Sequence, residues 1–212
     1  MNVLYTLSTS AGCRVKGQSR SFVKAFLQIF YAMTANLSDS IIDIDNTSRA
    51  VDGNAEASLR VVHSGLDARD DAYDKLYDGG QGATTATFIA SDDCGIVVGT
   101  GSTAVAVADD NLVTPIAQGL GSGQLVHYGC YGLNYTTGAS SASFDVERIF
   151  RNGSGGSIIV AEIGMYCRAR YALSGGQSSL AGFCILRDVL GATVTVLDGE
   201  YLKVKYTITV SN

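Results

Sequence analysis

The chain has 212 residues, of which 46% are hydrophobic and only 17% charged, with 25 glycines and a single proline. This composition supplies enough apolar material for a packed core, and it excludes collagen-like repeats and proline-rich disorder. The formal net charge is −5 and the sequence has no cluster of Lys and Arg, so we expect no direct contact with nucleic acid. The charged fraction is below the roughly 25% of an average soluble domain. A surface that largely contacts other proteins is therefore favoured.

The N-terminal residues predict neither a secretory signal nor a membrane anchor. No basic stretch followed by an apolar run opens the sequence. The most apolar early segment, residues 22–33, is interrupted by Lys24 and Gln28 and is too short to cross a bilayer. We therefore expect synthesis in the cytoplasm and no membrane partner.

Residues 18–36 carry the clearest helical pattern in the chain. Apolar side chains recur there at steps of three and four residues, which places them on one face of a helix: Phe22, Phe26, Ile29, Phe30 and Met33. A stripe this apolar must be buried, either on the protein's own sheet, which is the usual fate of an amphipathic helix, or on a neighbouring subunit. We expect Phe22, Phe26, Phe30 and Met33 to lie in a subunit or domain interface.

The segment after this helix predicts two strands and a long loop. Residues 40–44 and 57–63 alternate as strands do, and turn residues separate them. Residues 64–82 are acidic and end in glycines, which is typical of a solvated loop. Their aspartates lack the spacing of a calcium-binding EF-hand loop, so no metal is expected there.

From residue 84 onward the chain becomes a series of short strands separated by glycine-rich turns. We place the strands at residues 85–90, 95–98, 104–107, 125–133, 143–152, 157–170, 182–189, 193–196 and 201–210. In the last of these, apolar side chains alternate with Lys or Thr from Leu202 to Val210, as in a half-buried strand. The pattern favours a mainly β fold, an antiparallel β-sandwich of jelly-roll or Ig-like type. The predicted organisation is an N-terminal docking arm that contains the helix, residues 1–83, followed by the sandwich domain, residues 84–212.

The sequence shows no pattern that predicts catalysis. It contains no metalloprotease, nucleophile-elbow or P-loop motif. His127 and Cys130 are three residues apart in a predicted strand, so we expect them on opposite faces, where they cannot act as base and nucleophile. Glu147 and Glu162 offer two carboxylates for glycoside hydrolysis, but nothing in the sequence fixes their separation. We predict no enzymatic activity and no cofactor.

Glu162 has a simpler interpretation as one half of a structural ion pair. An arginine such as Arg148 or Arg187 could balance its charge if both groups are buried. The pair Glu162 and Arg187 would join two neighbouring strands. The alternative is that each of these side chains is exposed to solvent.

The chain has five cysteines: Cys13, Cys94, Cys130, Cys167 and Cys184. They form no CxxC pair, so a zinc knuckle is not expected. An odd number leaves at least one cysteine outside any disulfide within the chain. Buried thiols that pack as small hydrophobes are the simpler interpretation, and an intersubunit disulfide, formed after an assembly leaves the cell, is the alternative.

Three segments between residues 95 and 210 resemble a known family. RIFRNGSGGSIIVAEIGMY (148–166) is a strand, a small-residue turn and a strand that ends in E-I-G-M-Y. CILRDVLGATVTVLDGEYLKVKYTITV (184–210) has an R-D-V-L element, a D-G turn and a long alternating strand. GIVVGTGSTAVAVADDNLVTPIAQGLGSGQLVHYG (95–129) has a G-T-G turn at residues 99–101 that leads to a short predicted strand. In these segments the chain resembles structural proteins of tailed-bacteriophage particles. The resemblance implies a virion-borne β-sandwich in a neck, collar, tail or capsid-surface position, with no catalytic residues to carry over.

These observations predict a virion subunit, made in the host cytoplasm, that assembles with itself and with other virion proteins such as the portal or neck, tail or major capsid protein. A neck or collar subunit at the head–tail connection is preferred because the N-terminal part resembles an insertion arm, and a capsid decoration protein is the alternative. The third possibility is a receptor- or carbohydrate-binding tail-fibre module. Its candidate residues are Tyr128, Tyr131 and Tyr135, although Tyr128 and Tyr131 would point to opposite faces of a regular strand.

Overall fold

The computed structural model describes residues 1–19, 21–35, 39–51, 92–172 and 178–211. The described chain is mainly β, with antiparallel sheets and one short helix, as predicted. The strands are β1 (Asn2–Thr9), β2 (Arg14–Ser19), β3 (Asp39–Ile42), β4 (Ser48–Val51), β5 (Gly95–Gly99), β6 (Leu125–Thr137), β7 (Ser141–Asn152), β8 (Ile158–Ala172), β9 (Ser178–Val196) and β10 (Tyr201–Ser211). Helix α1 spans Lys24–Ala35.

The strands form two sheets in which every neighbouring pair is antiparallel. The first sheet has the order β2-β1-β10-β7-β6. The second has the order β3-β4-β8-β5, with β9 paired to the other side of β8. Because β10 lies between β1 and β7, the first and last strands of the chain share the middle of the first sheet.

The alternation predicted for the last strand sets which face of the first sheet is buried. Leu202, Val204 and Tyr206 are fully buried, and the lysines between them lie on the opposite face. Strand β1 follows the same period, and its Leu7 lies opposite Val204 in the register. One face of the sheet is therefore apolar and packed, and the other is left to solvent.

The N-terminal residues belong to this sheet and do not form a separate arm. Strand β1 pairs with β10 along its whole length, from Asn2–Thr209 to Thr9–Leu202. Its inward side chains are part of the same core as those of β10. The domain boundary expected near residue 83 lies outside the described residues. Residues 2–19 are therefore part of the same sheet as the C-terminal strand.

The helix begins later than the predicted range of 18–36. Residues 21–23 are extended and bridge to the edge of β9, where Val23 N donates to Ile185 O at 3.3 Å. A backbone that is hydrogen-bonded to a strand cannot also turn into a helix, so α1 begins at Lys24. The periodicity of the apolar side chains indicated the helix correctly but not its first turns.

Several predicted strand boundaries are corrected in the same way. Residues 104–107 form no strand and are irregular, with a turn that begins at Val107, and the strands predicted at 182–189 and 193–196 are a single strand, β9. The sequence patterns missed β1, β2 and β4. The strands predicted at 57–63 and 85–90, and the acidic loop at 64–82, lie outside the described residues.

One hydrophobic core contains side chains from both sheets. Leu7 and Val204 of the first sheet belong to the same cluster as Val160 and Phe183 of the second. Buried Arg148 of β7 reaches across, and its Nη1 donates to the carbonyl oxygens of Cys94 and Ile96 at 2.9 and 2.7 Å. Among the described residues, no helix is long and apolar enough to cross a membrane.

Gly164 in β8 tests the packing of this core. A Cβ at this position would lie 2.5 Å from Leu112 Cδ1 and 2.9 Å from Leu186 O, so Gly164→Ala forces the backbone or its neighbours to move. We expect a loss of about 1–3 kcal/mol in the free energy of unfolding, measured by urea titration with far-UV circular dichroism. Gly191→Ala in β9 is the control, since nothing lies within 4 Å of its Cβ. Equal losses in the two variants would contradict the packing argument.

Candidate functional site

A β-bulge in β6 changes which side chains share a face. His127 pairs with Phe150 but Cys130 pairs with Arg148, so three steps along β6 match two along β7. One extra residue on one strand is the defining feature of a bulge. His127 and Cys130 therefore both point inward and are fully buried, whereas Tyr128 and Tyr131 share the outer face. The expectation that each of these two pairs points to opposite faces is wrong because it assumed a regular strand.

The outer face of the first sheet carries a groove of about 390 Å³, here called the tyrosine groove. It is lined by Tyr128, Gly129, Tyr131, Glu147, Ile149 and Tyr201. The residues come from three adjacent strands, β6, β7 and β10. Tyr131 and Tyr201 are 41% and 45% exposed, and the rings of Tyr128 and Tyr201 lie 6.4 Å apart between centroids. Three aromatic side chains thus surround one open, mostly apolar cleft.

Gly129 and Arg148 shape the groove from below. A Cβ on Gly129 would lie 2.7 Å from Tyr131 Oη, so the ring of Tyr131 can fold over this position only because the residue is glycine. The bulge removes a carbonyl oxygen from the regular strand ladder, and Arg148 Nε donates to Tyr128 O at 2.7 Å. The buried arginine that links the two sheets therefore also holds the bulge.

One carboxylate lies in the otherwise apolar groove. Glu147 Oε2 is 2.7 Å from Lys203 Nζ, and the side chain of Lys203 is 49% exposed. The Glu147 side chain is only 15% exposed, but because the lysine end of the pair is half exposed, solvent screens the pair and it contributes little to stability. Glu147 can therefore accept hydrogen bonds from a ligand without a large loss of internal contacts.

The residues predicted for an interface lie in different environments in the structure. Phe22 and Phe26 are half-buried against the protein's own core, with ring centroids 4.6 Å apart. Phe30, one helical turn after Phe26, is 52% exposed. Met33 lies in α1, but its side chain is outside the described structure. The two inner aromatics therefore pack within the chain, and the interface itself stays a prediction.

Glu162 and Arg187 form an ion pair across β8 and β9. Glu162 Oε2 lies 2.9 Å from Arg187 Nε, and neither side chain is exposed. Arg187 Nη1 also lies 2.6 Å from Asp109 Oδ2, and its Nη2 donates to Thr103 O at 2.8 Å. Arg148, the other partner considered for Glu162, instead donates to the main-chain carbonyls described above.

The same glutamate anchors the long connection between β5 and β6. Its Oε1 accepts from the main-chain N–H groups of Gly101 and Thr114 at 3.1 and 2.8 Å, and its Oε2 accepts from Val113 at 3.2 Å. Close by, Tyr166 Oη accepts from Leu112 N at 2.9 Å. Both carboxylate oxygens are thus bonded, which offsets the cost of burying the charge. Tyr166 also lines a pocket of about 330 Å³ together with Asn111 and Pro115, whereas Glu162 and Arg187 do not line it. The contacts of the ion pair hold the connection against β8 and β9.

The cysteines are thiols, and four of the five are buried. Burial raises the pKa of Cys184 to about 12 and so suppresses the reactive thiolate. A disulfide to another subunit needs sulfurs about 2.05 Å apart, which the surrounding core prevents for Cys94, Cys130, Cys167 and Cys184. Only exposed Cys13 is placed to form the predicted intersubunit disulfide.

The described residues contain no group of three or more His, Cys, Asp or Glu side chains placed to hold a metal ion. The sequence pattern indicated Tyr128 and Tyr131 but not Gly129, which lies between them on β6, nor Ile149 and Tyr201, which join them only through the strand order. Tyr135, the third tyrosine named, is 74% exposed and does not line the groove. No protein-family model, curated protein or solved structure matches this chain.

The burial of Glu162 gives a first prediction on this part of the structure. Glu162→Gln removes the charge that balances Arg187 and replaces one acceptor by a donor facing main-chain N–H groups. We expect a loss of about 3–5 kcal/mol in the free energy of unfolding, measured by urea titration at pH 7. Glu147→Gln, which breaks an exposed ion pair, should cost less than about 1 kcal/mol. Similar losses of unfolding free energy in the two variants would show that the buried pair of Glu162 and Arg187 stabilises the fold no more than the pair of Glu147 and Lys203.

His127 gives a prediction on pH dependence. Burial first, and the charge of Arg148 second, lower the pKa of His127 to about 3. In the unfolded chain the imidazole takes up a proton near pH 6.5, whereas in the folded chain it does not. Stability is therefore full above pH 6.5 and falls towards pH 3. His127→Leu should reduce this loss by roughly 2 kcal/mol between pH 6.5 and 4.5, measured as unfolding free energy at each pH. If unfolding free energy falls with pH equally in the wild type and in His127→Leu, the prediction is wrong.

Proposed function

We propose that this chain is a structural subunit of a tailed-bacteriophage particle, which acts by assembly with copies of itself and with other virion proteins and not by catalysis. The similarity of residues 95–210 to structural proteins of such particles supports the proposal. The structural observation that carries it is a second apolar face on α1.

Helix α1 is apolar on two sides. Ala25 and Ile29 are buried against the core, where the helix packs on β3 and β9. Leu27, Phe30 and Tyr31 follow the spacing i, i+3, i+4, so they share another face, and they are 65%, 52% and 55% exposed. A helix that is apolar on more than one side is normally buried on those sides too. We call this outer face the helix face and propose that a neighbouring subunit covers it.

The finer fold class is part of this proposal. We propose that the two sheets pack face to face as a β-sandwich, since one core cluster contains side chains of both and Arg148 bonds from one to the other. A jelly-roll or an Ig-like topology would both provide such layers. This architecture leaves the outer face of each sheet available for contacts within a particle.

The place in the particle follows from the symmetry of the assembly. We prefer a neck or collar subunit and keep a capsid decoration protein as the alternative. Light scattering on the purified full chain distinguishes the two: a ring of about six or twelve subunits favours the neck, and a trimer favours decoration. Mass spectrometry of purified phage particles tests whether the chain is a virion component. Its absence from them would overturn the proposal.

The helix face is tested by Leu27→Asp. Because Leu27 is 65% exposed in the subunit, we expect an unchanged unfolding midpoint in the dilute protein. The mass measured by light scattering should fall to that of the monomer, because a charge at this position would be buried without a partner. Ile159→Asp on the second sheet is the control, since Ile159 is 52% exposed and pairs with Thr195, ten residues along β9 from the Ile185 that bonds to Val23 just before α1. A monomeric wild-type chain, or an oligomer that tolerates Leu27→Asp, would contradict assembly through this face.

A further inference from the structure

The outer face of the first sheet gathers positive charge in an otherwise acidic chain. The strand register places five cations on this face: Arg14, Lys16, Arg151, Lys203 and Lys205. Two carboxylates, Asp145 and Glu147, share the face and pair with Lys205 and Lys203. The chain as a whole has a net charge of −5. Folding therefore builds a locally cationic surface that is invisible in the sequence, because its residues come from β2, β7 and β10.

This cationic surface adjoins the tyrosine groove. Arg151 lies directly across from Tyr201 in the register and two residues from Ile149 on the same face. Lys203 lies opposite Ile149 and contacts Glu147, so it also borders the groove. From β7 to β2 the sheet spans three strand spacings, or about 14 Å. An extended ligand that enters the groove thus continues over the lysines towards Arg14 and Lys16.

We propose that the tyrosine groove is a binding site for an acidic oligosaccharide. The flat apolar side of a sugar ring would stack on Tyr131 and Tyr201, and its hydroxyl groups would donate hydrogen bonds to Glu147. A carboxylate on the sugar would be held by Arg151. The proposal is separate from assembly through the helix face, because α1 packs on the second sheet and the groove lies on the first.

Arg151 is the residue that selects an acidic sugar. Lys203 and Lys205 are already paired with carboxylates of the sheet, whereas Arg151 makes no salt bridge with any described residue and is exposed. A guanidinium can bind a carboxylate through two parallel hydrogen bonds, which a lysine cannot do. Arg151 is thus the cation at the groove that is available to a ligand without breaking an existing pair.

Glu147 argues against a nucleic-acid strand as the occupant. A strand that stacks its bases on tyrosines also brings a phosphate for every base. Glu147 would place a negative charge beside those phosphates, whereas the single carboxylate of an acidic sugar would lie at Arg151, four residues further along β7. Sugar hydroxyl groups, by contrast, are donors that a carboxylate accepts well. A sugar that carries both hydroxyl groups and a carboxylate is complementary to both ends of the site.

The test uses the purified full-length chain on an array of acidic oligosaccharides. Each oligosaccharide is paired with its methyl ester, which keeps the ring and hydroxyl groups but removes the charge. A single-stranded oligodeoxynucleotide is included as the competing polyanion. Binding is then measured in solution by isothermal titration calorimetry for wild type, Arg151→Gln, Tyr131→Ala and Tyr201→Ala. Lys24→Gln is the control, since it removes one exposed positive charge from α1 instead of from the sheet.

We expect the acidic form of at least one oligosaccharide to bind about tenfold or more tightly than its ester. Arg151→Gln should abolish that preference and leave affinity for the ester unchanged. The two tyrosine variants should weaken binding of both forms about tenfold or more, and Lys24→Gln should change neither. Unfolding midpoints of all variants must match wild type. No binding by any acidic oligosaccharide, equal binding of acid and ester, or preferential binding of the oligodeoxynucleotide would each overturn the proposal.

Discussion

The buried pair of Glu162 and Arg187 organises the second sheet and the long connection that covers it. Residues 100–116 form no strand of their own, so most of their polar main-chain groups need partners from elsewhere. Glu162 supplies three of these acceptor contacts, and Arg187 supplies a donor to Thr103 O. The connection thereby places Leu112 and Ile116 in the core. The buried charges act together with main-chain hydrogen bonds, such as those from Thr100 N to Thr114 O and from Ile116 N to Val98 O, to fix the conformation of this irregular segment.

A buried ion pair is costly in free energy. The pair of Glu162 and Arg187 therefore serves to fix the conformation of the connection more than to raise the stability of the fold. Removing two charges from water costs several kcal/mol per ion before any pairing. The cost is offset because both carboxylate oxygens and three guanidinium nitrogens are bonded. The glycines of the G-T-G turn also have a physical reason, since a Cβ on Gly99 or Gly101 would collide with the Glu162 side chain. The turn and the glutamate are thus parts of one arrangement.

The last strand was predictable because apolar and polar side chains alternate regularly along it. Strand β1 has the same burial period but was missed, because the exposed Leu4 interrupts the alternation of apolar and polar residues. Leu202, Val204 and Tyr206 alternate with lysines, and this fixed both the strand β10 and its buried face. Glu162 and Arg187 were also correctly paired, because charged residues within apolar strand patterns need partners. The start of α1 was not predictable from its periodicity, because residues 21–23 are held by hydrogen bonds to β9 that no local pattern records.

The tyrosine groove could not be predicted from the sequence pattern. A bulge adds one residue to β6, so the spacing of Tyr128 and Tyr131, which indicates opposite faces in a regular strand, here gives the same face. Tyr201 and Ile149 join them because β10 and β7 are neighbours, and the order of strands is a property of the whole fold. The cationic surface is hidden for the same reason, since its residues lie far apart in the chain.

The two proposed surfaces have complementary consequences for a particle. Helix α1 packs on the second sheet and the tyrosine groove lies on the first, so the proposed assembly through the helix face would use none of the residues that line the groove. A shallow groove with one arginine and stacking tyrosines would bind a single sugar segment weakly, because few contacts must offset the freedom that the ligand loses on binding.

A ring or trimer would present the same groove several times at fixed spacing, and a repeating acidic polysaccharide could occupy several grooves at once. Linked binding of this kind raises the overall affinity by factors of about 10² to 10⁴ without any new contact. Assembly would then determine whether the groove acts as a useful receptor site, even though every residue that forms it belongs to one chain.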